Sequence, residues 1–395
     1  MNTTDTVTTF TGFFRQRGHQ LIGSSSLVPR PGDPVLFTSA GMHPLTPYLE
    51  GEPHPLGRRL TGLQRCLRTT DLEEVGDFSH LTVFQMLGSW SLRDYDGPQS
   101  LRFGLELICD HFGLSPELLH ATVFGGDDQV GADTDGLETW SELGLPAELL
   151  GPEDNWWSNG PTGPCGPDSE IFVWTGDGPP AGTPGTDGRW LELWNHVTMR
   201  YQRYPDGSLT PLPRPSVDTG MGLERLLMVT QGVSSVYETD LFAPWLAVLP
   251  GLWGPDERSL RILTDHLRSS VVVISDGVLP SNTGRGYVLR RLLRRTLTAL
   301  WSAGDSSLSL RDLPAELVTD TGERFGQQPD PAVVLGVLES EERKFRGLLT
   351  RGRPLLARLY PTGQLSEDDY EFLRDTHGLP RELVSGLVTE TRSGS

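Results

Sequence analysis

The sequence predicts an α+β fold, in which an antiparallel β-sheet flanked by helices is followed by an α-helical domain. Residues 1–250 contain many short strand-like segments, few regular strand–helix–strand alternations and no internal repeat, which favours an antiparallel sheet. After Leu241 the composition shifts towards helix, with a Gly- and Pro-containing break at 251–255. We therefore expect a sheet domain of residues 1–250 and a helical domain of residues 251–395.

The individual elements follow from hydrophobic spacing and from residues that start or stop helices. Phe10, Phe13 and Phe14 recur at helical spacing ahead of Gly18, a helix stop signal. Ser115, followed by proline, is a typical helix start. The predicted elements are a helix over 4–20, strands over 62–68 and 82–91, a helix over 101–112, a helix opening at Ser115, a strand over 121–124, a helix over 137–142, a surface loop over 176–188, and strands over 192–204 and up to 217.

The charge of the chain is unevenly distributed. The net charge of −19 argues against a polyanionic partner, because Lys and Arg drive phosphate binding. The acidic excess lies in residues 1–250, however, whereas residues 258–295 hold eight arginines and two acidic residues. The sequence therefore predicts an acidic sheet domain, whose charge favours solubility, and one basic patch in the part that follows.

Several classes of protein are excluded by composition. No apolar stretch approaches the roughly 20 residues of a membrane span, and the N-terminus lacks the regions of a signal peptide. Cys66, Cys109 and Cys165 form no CxxC pair and are odd in number, so neither a disulfide framework nor a zinc site is indicated. We expect a soluble, cytoplasmic protein with no zinc and no membrane partner.

The segment 216–227 (SVDTGMGLERLL) is the centre of the predicted site. Gly220 and Gly222 let a ligand or a neighbouring strand approach the backbone closely. The apolar run after them begins a helix that carries Glu224 and Arg225. Such a turn delivers an arginine and a carboxylate to the end of a sheet, which suits a substrate that is anionic at one end and cationic at the other. Taken alone, the turn is more typical of simple packing.

Other stretches, taken in order with this one, point to a family. They are LFTSAGM at 36–42, residues 68–95 with FQMLGSWS, DNWWSNGPTGPCGPDSEI at 154–171, LELWNHVTM at 191–199, TDHLR at 264–268, PSNTGRGYVLRRLLRR at 280–295 and DTHGLP at 375–380. Together they resemble the catalytic domain of alanyl-tRNA synthetases, a class II family, over nearly the whole chain. The resemblance implies a class II synthetase sheet of six or seven antiparallel strands that binds ATP, Mg²⁺ and alanine.

Four residues are the candidates for ATP. Arg68 ends a predicted strand, and an arginine there can neutralise the α-phosphate. The resemblance implies that His80 meets the γ-phosphate, that Phe84 stacks on adenine and that Arg225 lies across from both. Without the motif, Phe84 is a core residue and His80 a surface one. The alanine carboxylate is itself the nucleophile, so Arg68 and Arg225 are the catalytic candidates and no acid–base pair is needed. The sequence assigns no magnesium ligands.

A further set of positions matches the family's amino-acid pocket. Asp218 supplies a charge for the ammonium group, Asn195 an amide that orients it, and Gly220 leaves space for a methyl group. By the alternation of a strand, Asn195 and Val197 share one face. Met42 fits the pocket wall and the core equally well. Alanine is the expected substrate, with glycine and serine as weaker ones. The alanine-binding candidates are Met42, Trp157, Asn195, Val197, Asp218 and Gly220.

Two departures from the family pattern bear on these sites. Ser79 stands directly before His80 where the family carries an arginine, so one phosphate-contacting group is missing. Asp168 stands where the family has the second cysteine of GPCGPC. The first predicts weaker ATP binding or an altered acceptor, and the second affects the rim of the alanine pocket.

An amphipathic helix is predicted around residues 287–295. Its apolar face carries Val288, Leu289, Leu292 and Leu293, and a solvated helix is the simplest interpretation. The resemblance instead implies an acceptor-stem-binding helix, with Asn282, Arg294 and Asp375 at the positions that would read a wobble pair. The tRNA-binding candidates are Asn282, Arg290, Arg291, Arg294, Arg295 and Asp375.

These observations predict an enzyme that makes alanyl-adenylate and transfers alanine to the 3′ end of tRNA(Ala). One alternative is a tRNA-independent ligase that uses a small-molecule amine or a carrier-protein thiol as acceptor. Another is a non-catalytic paralogue, although the presence of Arg68, Arg225, Asp218 and Asn195 argues against it. The family's editing and C-terminal dimerising segments have no counterpart in the sequence, so we expect a truncated form that is a monomer.

Overall fold

A nine-stranded sheet organises the first 222 residues of the chain. The structure is a computed structural model that describes residues 1–30, 35–158, 160–302, 304–360, 364–377, 379, 381 and 384. Within these residues it does not describe the side chains at 71, 353, 374, 375 and 377. The strand order is β1-β2-β3-β9-β8-β7-β4-β5, and β6 pairs with β7. The strands are β1 (Gln20–Ile22), β2 (Arg59–Leu67), β3 (Val83–Ser91), β4 (Leu119–Phe124), β5 (Ala147–Leu150), β6 (Trp156–Ser158), β7 (Gly163–Trp174), β8 (Trp190–Arg203) and β9 (Leu209–Gly222).

The sheet is antiparallel in its centre and parallel at both edges. β1 pairs parallel with β2, and β5 pairs parallel with β4. The predicted α+β fold is confirmed, but the expectation of six or seven strands, all antiparallel, is wrong at the edges. At one edge the reason is a helical crossover, because the helix between β4 and β5 returns the chain to the same end of the sheet and so makes the two strands run in one direction.

Helices flank the sheet and make up the rest of the chain. In the described residues they are α1 (Thr3–Gln16), α2 (Thr46–Glu50), α3 (Gly97–Glu106), α4 (Thr134–Leu143), α5 (Pro152–Asn155), α6 (Leu223–Gln231), α7 (Ala243–Trp253), α8 (Glu257–Ser275), α9 (Gly284–Leu300), α10 (Ala315–Arg324), α11 (Pro331–Leu359) and α12 (Glu367–His377). None of these helices is both long enough and apolar enough to cross a membrane.

The predicted helix at Ser115 is wrong. Ser115 is followed by a single 3₁₀ turn, Pro116–Leu118, and the chain then enters β4. All six residues of β4 are buried, and the strand pairs with β7 on one side and β5 on the other. Burial in the middle of a sheet therefore overrides a local helix-start signal.

One face of the sheet is closed by α1 and α3. Phe10 and Phe14 of α1 are buried and contact the ring of Trp194 on β8, at centroid distances of 5.5 and 6.2 Å. His196, two residues further along β8, shares a hydrogen bond with Ser100 of α3 at 2.9 Å. The alternate residues of β8, including Asn195, consequently face the other side of the sheet, where the functional site lies.

Helix α8 is joined to the start of β3 by buried polar contacts. Asp265 accepts hydrogen bonds from the backbone N–H of Thr82 at 2.9 Å and from its hydroxyl at 2.6 Å. Arg268 donates to the Val83 carbonyl at 2.8 Å, and the hydroxyl of Ser269 accepts from the Val83 N–H at 3.2 Å. The helical region thereby positions the strand that carries Phe84.

Candidate active site

A pocket opens on the free face of the sheet, between β3, β8, β9 and the start of α6. It collects all but one of the residues predicted to bind ATP or alanine. Those that line it are Arg68, His80, Phe84, Trp157, Asn195, Val197, Asp218, Gly220 and Arg225. Met42 is the exception: it is fully buried, in a small core with Trp90 and Val197, and so supports the pocket from beneath.

Arg68 and Phe84 form one end of the pocket. The Arg68 guanidinium lies 5.1 Å from the centre of the Phe84 ring, and its Nε donates a long 3.4 Å hydrogen bond to the Ser39 carbonyl. Within the described residues Arg68 makes no salt bridge. This arginine therefore presents a positive charge next to an aromatic face, an arrangement that fits a nucleotide phosphate and its base.

His80 is held at the rim by two carboxylates. Its Nδ1 lies 2.5 Å from Asp77 and its Nε2 lies 3.0 Å from Glu74, so both ring nitrogens are engaged. Hydrogen bonds from His80 and from the backbone N–H of Ser79 lower the pKa of Asp77 despite its partial burial. His80 would have to exchange one of these partners to contact a phosphate.

Arg225 reaches the pocket from the first turn of α6. Its Nη1 donates to the backbone carbonyl of Glu192 at 3.1 Å and to the Glu192 carboxylate at 3.0 Å. The neighbouring Glu224 is buried, accepts from the Gln85 N–H at 3.1 Å and pairs with Arg268 of α8 at 2.7 Å. Glu224 therefore anchors the start of α6, and Arg225 points from that anchor into the pocket.

Asp218 lies at the other end, on β9. It is 6% exposed, and its Oδ1 accepts a 2.6 Å hydrogen bond from Trp90 Nε1. Burial raises the pKa of Asp218 to about 7, although the Trp90 hydrogen bond acts in the opposite direction. A cationic ligand would restore the ionised form, so this carboxyl is suited to bind an ammonium group.

Met86 packs against Gly220 beside Asp218 and limits the space there. A Cβ atom at this position would lie 2.6 Å from the Met86 sulfur, so a side chain here would displace Met86. Trp157 and Val197 line the same region. The cavity at this end accordingly suits a small side chain.

Asn195 is fixed by two carboxylates. Its Nδ2 donates to Asp168 Oδ2 at 3.1 Å and to Glu170 Oε1 at 3.2 Å. Its Oδ1 is buried and has no hydrogen-bond partner among the described residues. Since a buried acceptor without a donor costs about 1–3 kcal/mol, this oxygen marks a position for a ligand donor.

Sequence reasoning placed Asp168 at the rim of the alanine pocket but missed Glu170 beside Asn195 and Glu192 beside Arg225. Burial raises the pKa of Asp168 to about 7, and it raises the pKa of Glu170 well above its usual range with help from Glu192 and Asp168. Asp168 and Glu170 are two residues apart on β7, so they share a face. That spacing could have predicted that the two carboxylates lie on one face, but not that Glu170 lies opposite Asn195 on β8.

No metal cluster is evident in the part of the chain that the structure describes, where no three His, Cys, Asp or Glu residues are placed to hold an ion. Magnesium bound with a nucleotide keeps several waters and takes only one or two protein carboxylates. Glu192 lines the pocket and its side chain is 35% exposed. This accessible carboxylate is compatible with that kind of site.

The predicted tRNA-binding arginines lie on α9, away from its buried apolar face. Arg291 and Arg295 both pair with Glu73, which belongs to the connector between β2 and β3. Arg290 and Arg294 both lie 3.2 Å from Glu341 of α11, a fully buried carboxylate. Asn282 is exposed and accepts a hydrogen bond from Arg290. The Asp375 side chain lies outside the described residues.

A pocket on a sheet that holds arginine side chains and a buried carboxyl suits a substrate with an anionic and a cationic group. The family model for class II tRNA synthetases (A) matches residues 5–393. The chain therefore belongs to this family of ligases.

Curated relatives agree over almost the full length of the chain. It is 41% identical to an alanine–tRNA ligase from Treponema pallidum, over 97% of this chain and 67% of that protein. Identity is 40% to the alanine–tRNA ligase of Borrelia hermsii, with 96% and 68% covered, and 42% to that of Acidithiobacillus ferridurans, with 96% and 46% covered. The chain thus spans about two thirds of the first two relatives and about half of the third.

Proposed function

We propose that the chain activates L-alanine with ATP as alanyl-adenylate and transfers the alanyl group to the 3′ end of tRNA(Ala). The observation that carries the proposal is the division of one pocket into two chemically different ends. Asp218 and the unpaired oxygen of Asn195 lie at one end, and Arg68 and Arg225 at the other, all within the described residues. Alanine has a cationic ammonium group and a nucleophilic carboxylate, so bound between these ends it would direct the carboxylate towards the phosphates.

The proposed reaction is an in-line displacement at the α-phosphorus. An alanine carboxylate oxygen forms the new P–O bond while the bond to pyrophosphate breaks, and no proton needs to be moved. Arg68 would neutralise the α-phosphate, Phe84 would stack on adenine, and Arg225 would hold the far end of the triphosphate. Bound Mg²⁺ would neutralise phosphate charge, and Glu192 is the pocket carboxylate that would hold it.

For transfer to the acceptor, we assign the contact with tRNA to arginines of α9. Arg291 and Arg295 are partly exposed, and the carboxylate that they share, Glu73, is itself exposed. A tRNA phosphate could take the place of Glu73 because both are anions that accept from guanidinium groups. Arg290 and Arg294, in contrast, compensate the buried Glu341, so we assign them mainly to holding α9 on α11.

Product analysis with radiolabelled alanine and ATP, with and without tRNA, tests the proposal. We expect alanyl-adenylate in both reactions and labelled tRNA only when tRNA is present. Label that leaves the adenylate equally fast onto an added amine or thiol, without tRNA, would support the small-molecule or carrier-protein acceptor instead. The three relatives described above, which are alanine–tRNA ligases by name, do not favour that alternative.

A further inference from the structure

Asp168 lies behind the alanine end of the pocket and does not line it. The residue is 3% exposed and follows an irregularity in β7, after which it pairs with Val197 of β8. Gly166 occupies the irregularity, where a Cβ atom would collide with the backbone of Thr198. The close approach of β7 and β8 at this point brings the Asp168 carboxylate to the side chain of Asn195.

The carboxylate joins the side-chain amides of Asn195 and Asn155. Asp168 Oδ2 accepts from Asn195 Nδ2 and Oδ1 accepts from Asn155 Nδ2, each at 3.1 Å. Asn155 is fully buried, and its Nδ2 also donates to the Thr122 hydroxyl oxygen at 2.9 Å. A chain of hydrogen bonds therefore runs from β4 through Asn155 and Asp168 to the wall of the pocket.

This chain decides which way the Asn195 amide faces. An amide nitrogen has two hydrogens, and in Asn195 they are directed to Asp168 and Glu170. The amide oxygen is consequently turned away from both carboxylates and has no donor among the described residues. Without Asp168, only Glu170 would hold the Asn195 amide nitrogen. The amide could then rotate to the opposite orientation, because its oxygen would no longer face a carboxylate at position 168.

We propose that Asp168 is a positioning residue for the amino acid, which orients Asn195 so that its Oδ1 accepts a hydrogen bond from the substrate ammonium group. The inference rests on the proposed activation of alanine and deepens it. Asp168 acts through Asn195 and touches no substrate.

Direct binding of alanine tests this role. Isothermal titration calorimetry would compare the wild type with Asp168→Ala and Asp168→Asn, and ATP–pyrophosphate exchange would give the KM for alanine and for ATP separately. Asp168→Ala should weaken alanine binding about tenfold, the loss of roughly one hydrogen bond to a charged group, with the KM for ATP changed less than about twofold. Asp168→Asn should weaken alanine binding less. The Asn155 amide can rotate so that its oxygen accepts from the introduced NH₂ group, and the introduced amide oxygen then still accepts from Asn195.

A matched control separates positioning from folding. Asp133 is another buried carboxylate, paired with Arg200 at 2.9 Å outside the pocket, so Asp133→Asn should lower the melting temperature without changing alanine affinity. A double-mutant cycle covers the case in which Asp168→Ala folds poorly. In the Asn195→Ala background, Asp168→Asn should weaken alanine binding no further, because the oriented amide is already gone.

The outcomes distinguish this inference from the proposed function. Equal alanine affinity in the wild type and Asp168→Ala, or additive effects in the cycle, would overturn the role of Asp168 alone. Alanine binding without exchange would contradict the proposed activation and leave the positioning result standing. Absence of alanine binding to the wild type would overturn both.

Discussion

The activation pocket and the arginine face of α9 both concentrate charged side chains, but they differ in how those charges are satisfied. In the pocket, Arg68 makes no salt bridge and Asn195 Oδ1 has no donor within the described part of the chain. On α9, Arg290, Arg291, Arg294 and Arg295 each contact a carboxylate of this chain, Glu73 or Glu341. Arg68 and Asn195 Oδ1 can therefore bind a ligand without losing a partner of this kind, whereas Arg225 in the pocket and the four arginines of α9 must each exchange a carboxylate for the ligand.

This difference has an energetic consequence. An ammonium group that enters the pocket contacts the buried Asp218 carboxyl and the buried Oδ1 of Asn195, so the loss of either contact should cost the free energy of a desolvated charge interaction. A phosphate that reaches α9 replaces an exposed ion pair, and such pairs contribute only about 0–1 kcal/mol. Substitutions in the pocket should thus have much larger effects than substitutions on the exposed part of α9.

The largest effect is expected from Asp218. Replacing Asp218 with Ala removes the predicted counter-charge for the ammonium group and leaves the Trp90 N–H without its acceptor. Alanine-dependent ATP–pyrophosphate exchange should fall at least about a hundredfold in kcat/KM, which corresponds to roughly 3 kcal/mol. Asp206 lies in an exposed turn, so Asp206→Ala is the control, and its kcat/KM for exchange should equal that of the wild type. A loss below tenfold would mean that Asp218 does not bind the substrate.

Arg225 should have a comparable effect on the nucleotide. Arg225→Ala removes the guanidinium that contacts the Glu192 carboxylate at 3.0 Å and that is proposed to hold the far end of the triphosphate. The same exchange assay should show at least about a hundredfold loss in kcat/KM for ATP. Arg102→Ala, which breaks an exposed pair with Glu142, provides the comparison. Equal activity of the two variants would argue against a role for Arg225 in ATP binding.

Alanine affinity should depend on pH through the buried carboxyls. Burial raises the pKa of Asp218 and of Asp168 to about 7. The ionised form of Asp218, which attracts the ammonium group, is therefore present above that pH and is lost below it. Between pH 8 and pH 6 the KM for alanine should rise about tenfold. A pH-independent KM for alanine would contradict the assignment.

The same shifts affect stability. The folded-state pKa of each carboxyl lies above the unfolded value, so the native protein binds more protons and loses stability as the pH rises from about 4 through about 7. Bound alanine offsets that loss by favouring the ionised carboxyls. The increase in melting temperature caused by alanine should therefore be larger at pH 8 than at pH 6.

The smallest effect is expected on α9. Replacing Arg291 and Arg295 together with Gln should raise the KM for tRNA only about three- to fivefold, because each phosphate contact competes with Glu73. Exchange without tRNA should be unchanged. Replacing Arg290 and Arg294 with Gln should instead lower the melting temperature, since it removes two cationic partners of the buried Glu341. The reverse pattern would assign tRNA binding to Arg290 and Arg294.

The sequence predicted the local backbone structure better than it predicted which side chains contact each other. The helix at Phe10, the long strands and the common face of Asn195 and Val197 were predictable, because hydrophobic periodicity and strand alternation are local properties. The parallel edges were not, since they depend on where a crossover returns the chain. The burial of Met42 beneath the pocket also depends on tertiary packing.

The partners of the site residues were the least predictable part. Glu170 meets Asn195 only because the irregularity in β7 sets the register of the two strands. Glu73 meets Arg291 and Arg295 across more than 200 residues of sequence, and Glu341 meets Arg290 through helix packing. These pairings decide which charges are open to a ligand, and they are set by the fold as a whole.

Amino-acid-dependent ATP–pyrophosphate exchange by the wild-type protein without tRNA tests most directly whether the pocket activates alanine. The pocket between Asp218, Asn195, Arg68 and Arg225 predicts strong exchange with alanine, weaker exchange with glycine and serine, and none with valine. A methyl-sized cavity separates such close analogues by only about 1–3 kcal/mol, so some exchange with glycine and serine is expected. Absence of exchange with every small amino acid would contradict the activation of alanine by this pocket.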